Sequence, residues 1–267
     1  MHRIVWWLIL IIGAGLIGLI AWNALQKPEP PAVVPPAPLV TPPTAPPAEP
    51  EIRHPVPEQL PEKPLPALET SDSTIKNALA ELSAGSGLVD TLMLQGFIRR
   101  FVATVDNLTG PKVAMRILPV KPVGGAFAVS GKEGGYAIAE ENAARYTKYI
   151  EFAEAIDSKK LAAFYFHFYP LFQQAYRELG YPKGHFNDRL VAVIDHLLLA
   201  PELQAPVTLV RPKVFYLYSD PELEKRSAGQ KMLMRMGATN AGRVKAKLRE
   251  IREAITIPSV SVEKASF

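Results

Sequence analysis

The sequence predicts a mainly α protein: a helical, bundle-like domain with at most a small β-hairpin or edge sheet, preceded by one transmembrane helix and a disordered proline-rich linker. Three observations carry this. Ile4 to Trp22 is an apolar run without a charge. Sixteen of the 26 prolines fall between Pro28 and Pro66. Beyond them, apolar residues recur at helical spacing in several separate segments. The expected layout is an anchor over residues 1–27, a linker over 28–66, a globular domain over 67–257 and a flexible tail over 258–267.

The anchor is the clearest element. IVWWLILIIGAGLIGLIAW, as a helix rising ~1.5 Å per residue, is long enough for a hydrocarbon core of roughly 30 Å. Trp6, Trp7 and Trp22 lie near its ends, where indoles favour the headgroup region. A cleaved signal peptide is the alternative, but no small-x-small cleavage site follows the run. Arg3 and the terminal amine precede the span, so the positive-inside rule places the N-terminus in the cytoplasm. The expectation is a single-pass inner-membrane protein with its C-terminal domain in the periplasm.

Proline fixes φ and removes a donor, so residues 28–66 favour extended polyproline II over helix or sheet. At about 3.1 Å per residue the tract reaches on the order of 100 Å when straight. We read it as a spacer rather than as a ligand for an aromatic groove. The chain has no cysteine, which excludes a disulfide framework and thiolate metal sites.

The domain then reads as a chain of helices. Ser71-Asp72 caps a short one, ended by Gly85 and Gly87. Leu94, Phe97, Ile98, Phe101, Val102 and Val105 form one stripe of a helix spanning about Val89 to Asn107. Residues 112–138 read as loop, with a hairpin pairing Phe127–Val129 with Tyr136–Ile138. Glu140–Ile156 is helical. Lys159–Leu179 is helical too, with Pro170 expected to kink or break it. A turn over Gly180–Gly184 leads into a helix in which Leu190, Val191, Val193, Ile194, Leu197, Leu198 and Leu199 cover nearly every face. Val207–Val210 and Val214–Tyr218 are short strands. Asp220-Pro221 opens a further helix closed by Gly237, and the last begins near Asn240.

Several blocks together resemble an uncharacterised family of bacterial envelope proteins, catalogued as a domain of unknown function. They are Gln95–Leu108, Tyr169-Pro170-Leu171, Tyr176–Pro182, Phe186–Leu190, Val210–Lys213, and Ser227–Lys231 with Arg235-Met236-Gly237. The resemblance implies one N-terminal span, a proline-rich spacer and a helical domain, and it carries over no catalytic residue or cofactor.

Three stretches offer candidate sites. Asp188 and Asp195 are seven apart and share a helix face, with His196 adjoining and His167 and His185 as further imidazoles. Such a cluster suits acid–base chemistry or a metal. Against it, Asn187 and Asp188 suit a helix N-terminus and no metal-ligand spacing recurs. A buried structural role was expected for Asp195. The aromatic run offers Tyr165, Tyr169, Tyr176 and Tyr181 as groove-lining residues, with core packing the plainer reading. Between Lys225 and Arg252 lie nine basic residues and one acidic, among them Lys231, Arg235, Arg243 and Lys247, which suits an anionic partner. Gly229-Gln230-Lys231 lacks the rest of a phosphate loop.

The leading expectation is a membrane-tethered binding or scaffolding module without a cofactor, with an envelope protein, an anionic lipid or a cell-wall polymer as partner. Nucleic acid is excluded if the domain is periplasmic. The alternative is an envelope hydrolase built on Asp188, Asp195 and His196.

Overall fold

The computed structural model describes residues 51–57, 64–83 and 87–256. The span Ile4–Trp22, most of the proline tract and the tail lie outside them. Among the described residues no helix is long and apolar enough to cross a membrane. The described chain is mainly helical, with a small four-stranded antiparallel sheet.

The helices are α1 (Asp72–Leu82), α2 (Phe97–Asn107), α3 (Ala144–Ala155), α4 (Ser158–Glu178), α5 (Phe186–Leu198), α6 (Pro221–Glu224), α7 (Ala228–Arg235) and α8 (Ala238–Thr256). The strands are β1 (Val129–Ser130), β2 (Tyr136–Ile138), β3 (Thr208–Val210) and β4 (Leu217–Tyr218). Two hairpins distant in sequence join through β2 and β3, with Tyr136 opposite Leu209, in the order β1-β2-β3-β4. The sequence marks these strand regions but not their union, because neither hairpin alone shows which edge it offers.

Local chemistry fixes where the helices start. α2 begins at Phe97 rather than near Val89. Gly96 stands in the left-handed region at φ 63°, and the Asp72 carboxylate accepts a hydrogen bond from its N–H at 2.8 Å. The start of α1 therefore also fixes the start of α2. Asp157 caps α4 by accepting from the Lys160 N–H. Pro170 does not break α4, which runs on for 21 residues. Its ring lies on the exposed side, while Phe168, Leu171 and Phe172 are buried around it and hold the helix through the missing bond.

The core sits where α4 and α5 meet α2 and α8. Phe172 and Phe186 stack across the hairpin at 6.0 Å between centroids, and Phe101 meets both edge-on. Burial of α5 is less complete than its sequence suggests, since Ala192 and, just past its end, Leu199 are exposed. The sheet has a smaller core of its own, built from Leu209, Tyr218 and Met234 of α7.

Candidate functional site

The α4–α5 hairpin carries most of the polar residues singled out by the sequence, and a buried glutamine closes it. The Gln173 Oε1 accepts from the Tyr169 hydroxyl and the Phe186 N–H, each at 2.9 Å, while its Nε2 donates to the Gly184 carbonyl at 2.7 Å. Gln173 thus fixes both the turn and the first residue of α5. Sequence reasoning missed it because two of its three partners are backbone atoms of the turn, brought close only by the fold.

From this frame Asp188, Asp195 and His196 reach three different neighbours. The Asp188 carboxylate accepts from the N–H groups of Arg53 and His54 at 3.1 and 2.7 Å. Buried Asn187 beside it donates to the His54 carbonyl and to that of Ile255. The start of α5 therefore grips the chain as it enters the domain. The negative charge also sits well against the α5 N-terminus. Asp188→Ala in the full-length chain is expected to speed amide exchange at residues 53–54 by about 10- to 100-fold, because hydrogen bonds to a charged group contribute ~1.5–3 kcal/mol each. Unchanged exchange there would remove the grip.

Asp195 lies two turns further along, about 10 Å up the helix axis from Asp188. Its carboxylate takes both forks of Arg252 from α8, and its side chain is 46% exposed. The buried role expected for it is not what the fold builds. An ion pair this exposed contributes only ~0–1 kcal/mol. Asp195→Ala is expected to move the thermal midpoint by no more than a few degrees, and a collapse of the fold would contradict this.

His196 shares a 2.8 Å hydrogen bond with Ser227, whose hydroxyl caps α7. Burial, and then the charges of Arg189 and Arg226, hold its imidazole below the ordinary value. Asp188, Asp195 and His196 therefore form no shared centre. Among the described residues no cluster of three or more His, Cys, Asp or Glu side chains could hold a metal ion.

The tyrosines divide in the same way. Tyr165 and Tyr176 are buried, Tyr169 is half-buried, and Tyr181 is partly exposed. Tyr176 stacks on Tyr181 at 4.5 Å, and the Tyr181 hydroxyl donates to Asp106, which Arg189 of α5 also holds at 2.9 Å. That network binds the end of α2 to the hairpin. Tyr165 is different. Its hydroxyl is buried without a hydrogen-bond partner, and burial pushes the phenol well above its usual range.

The basic stretch is largely neutralised from within. Lys231 pairs with Glu224, Arg243 with Glu154, Lys245 with Glu202, and Arg252 with Asp195. Lys247 is buried, donating to the Ile156 carbonyl and reaching Glu250. The Arg235 guanidinium lies over the rings of Phe127 and Tyr218. Lysines and arginines that looked free in the sequence are joints between helices.

Two apolar features stand out instead. One is the connection between β3 and β4. Val214–Tyr218 was expected to be a strand, yet only Leu217 and Tyr218 pair. Val214 and Phe215 are left 70% and 78% exposed beside Arg211 and Lys213, which are also exposed. Arg211 lies over the Tyr216 ring at 5.2 Å, which stiffens this tip.

The other is a cavity of about 300 Å³ between α1, α2, α4, α5 and α8. Tyr165 contributes the one polar side chain of its wall. Half-buried Leu161, Phe164, Leu248 and Ile251 form part of that wall and leave it open toward solvent. A sealed void of this size would cost on the order of 7 kcal/mol at ~24 cal/mol per Å³. That is as large as the whole stability of many domains, about 5–15 kcal/mol.

No curated protein and no solved structure shows significant similarity to the chain. A family model does match, over residues 97–252, from the first turn of α2 to the Arg252 that pairs with Asp195. That region holds the hairpin, the exposed tip and nearly all of the cavity wall, and it makes this chain a member of the family described as protein of unknown function DUF3014.

Proposed function

We propose that the chain is a non-catalytic binding module of the cell envelope, anchored in the inner membrane by Ile4–Trp22 and carried into the periplasm on the proline-rich spacer. Its contact surface is the β3–β4 tip, and its partner is an anionic bilayer surface. The observation that carries this is the exposure of Val214 and Phe215 directly after two exposed cations, Arg211 and Lys213. An apolar pair beside Arg and Lys fits the interface of an anionic membrane, where apolar groups enter below the headgroups and each cation adds about 1 kcal/mol. A tethered domain needs little intrinsic affinity, because the linker keeps its local concentration high. The separate partners of Asp188, Asp195 and His196 support this reading over a hydrolase.

The test has two arms. A phosphatase reporter that works only in the periplasm, fused after Pro66, is expected to be active. A photo-crosslinking amino acid at position 215 of the full-length chain is expected to give lipid adducts in the native membrane. Lys213→Glu should weaken them by about tenfold or more, since it replaces an attraction of ~1 kcal/mol with a repulsion. An inactive reporter contradicts the topology. Adducts to protein alone, or none, contradict the membrane contact.

A further inference from the structure

We infer that the cavity between α1, α2, α4, α5 and α8 is a binding site for a single hydrocarbon chain. The inference rests on the reading of the chain as a membrane-facing binding module and supplies its ligand class. Phe101, Val193, Ile194, Leu248 and Ile251, with the ring of Tyr165, give the space an almost wholly apolar surface. At roughly 30 Å³ for each group of water or methylene size, about 300 Å³ holds on the order of ten carbons. Water is a poor occupant, because it needs polar partners that this wall does not offer. A charged or sugar ligand is excluded on the same ground.

Folding alone gives no reason to keep such a space. Leucine, isoleucine and phenylalanine from five helices meet here, and a few larger side chains would close the gap. An unfilled apolar space of this size in the middle of a helical core departs from close packing. Such departures gather at functional sites. Half-buried Leu161, Phe164, Leu248 and Ile251 let a chain enter while its polar head stays in water. The shared chemistry is the alkyl chain, whether carried by a free fatty acid or by a lipid.

The experiment uses the full-length chain in lipid nanodiscs and a medium-chain fatty acid bearing a terminal diazirine. After illumination, adducts are expected on α4, α5 and α8 peptides that line the cavity, beyond any on residues 4–22. Ala162→Phe puts a ring into the space that takes up about half of it, at roughly 30 Å³ per carbon group, and Leu248→Trp narrows its rim. Each is expected to cut labelling of those peptides by about tenfold or more, about 1.4 kcal/mol of lost affinity. Ala162→Phe should keep or raise the thermal midpoint without probe. If it does not fold, the rim variant carries the same expectation. Competition by unlabelled fatty acid and by a lysophospholipid separates the two sources of the chain. Labelling confined to residues 4–22, or equal in wild type and in both variants, overturns the inference. That failure would leave lipid adducts at position 215 intact, whereas failure of the membrane contact would leave labelling of the cavity intact.

Discussion

Asn142→Ala is expected to lower stability by about 2–5 kcal/mol, the largest effect of any single change proposed. Asn142 is fully buried. Its Oδ1 accepts from the Ala128 N–H and from Arg145, and its Nδ2 donates to the Arg235 carbonyl at 2.8 Å. One side chain therefore ties the approach to β1, the start of α3 and the end of α7. Truncation leaves a part-buried N–H and a part-buried carbonyl without this partner, each costing up to ~1–3 kcal/mol. For a domain of this size the midpoint falls by on the order of 10 °C. Asn142→Asp keeps the acceptor and loses the donor, so it should fall between Ala and wild type. A midpoint unchanged in Asn142→Ala would show that the sheet and the bundle do not depend on this joint.

The second large effect is expected at Gly229. A Cβ there would stand 2.5 Å from Leu197 Cδ2 and 3.0 Å from the Leu108 carbonyl oxygen. The leucine tip can swing aside, but the carbonyl already accepts from the Gly229 N–H at 2.9 Å and cannot retreat without losing that bond. Gly229→Ala should therefore destabilise by about 1–3 kcal/mol through overpacking. Gly242→Ala is the matched control. It lies exposed in α8 with open space around it, so the same change should stabilise by up to ~1 kcal/mol. Thermal midpoints moving in opposite directions check both. The contrast also explains why Gly229-Gln230-Lys231 invites comparison with a phosphate loop. The glycine is there for close approach of α7 to α2. Gln230 donates to the His196 carbonyl, and Lys231 pairs with Glu224.

Much of the helical framework was legible because burial sets a period. The stripe from Phe97 to Val105 marks a core face that the fold uses. Polar joints were not legible. Gln173, Asn142 and Asn187 bind backbone atoms across 11 to 133 residues of chain, and nothing in their local sequence marks those partners. The basic run misled for a related reason. Its counter-charges Glu154 and Glu202 lie outside it, so a window sees only the positive half. Asp195 looked buried because its neighbours are apolar, but on a helix the next residues in sequence point elsewhere. The cavity could not be read at all. Its wall consists of ordinary core residues, and only their arrangement leaves the space.

Native mass spectrometry of the full-length chain, released from its own membrane, tests the central claim most directly. The account predicts that wild-type protein retains one chain-bearing molecule after stripping that removes loosely held lipid, and that Ala162→Phe emerges without it. Bare protein in both cases, or the same lipids on both, would contradict a hydrocarbon site in the core.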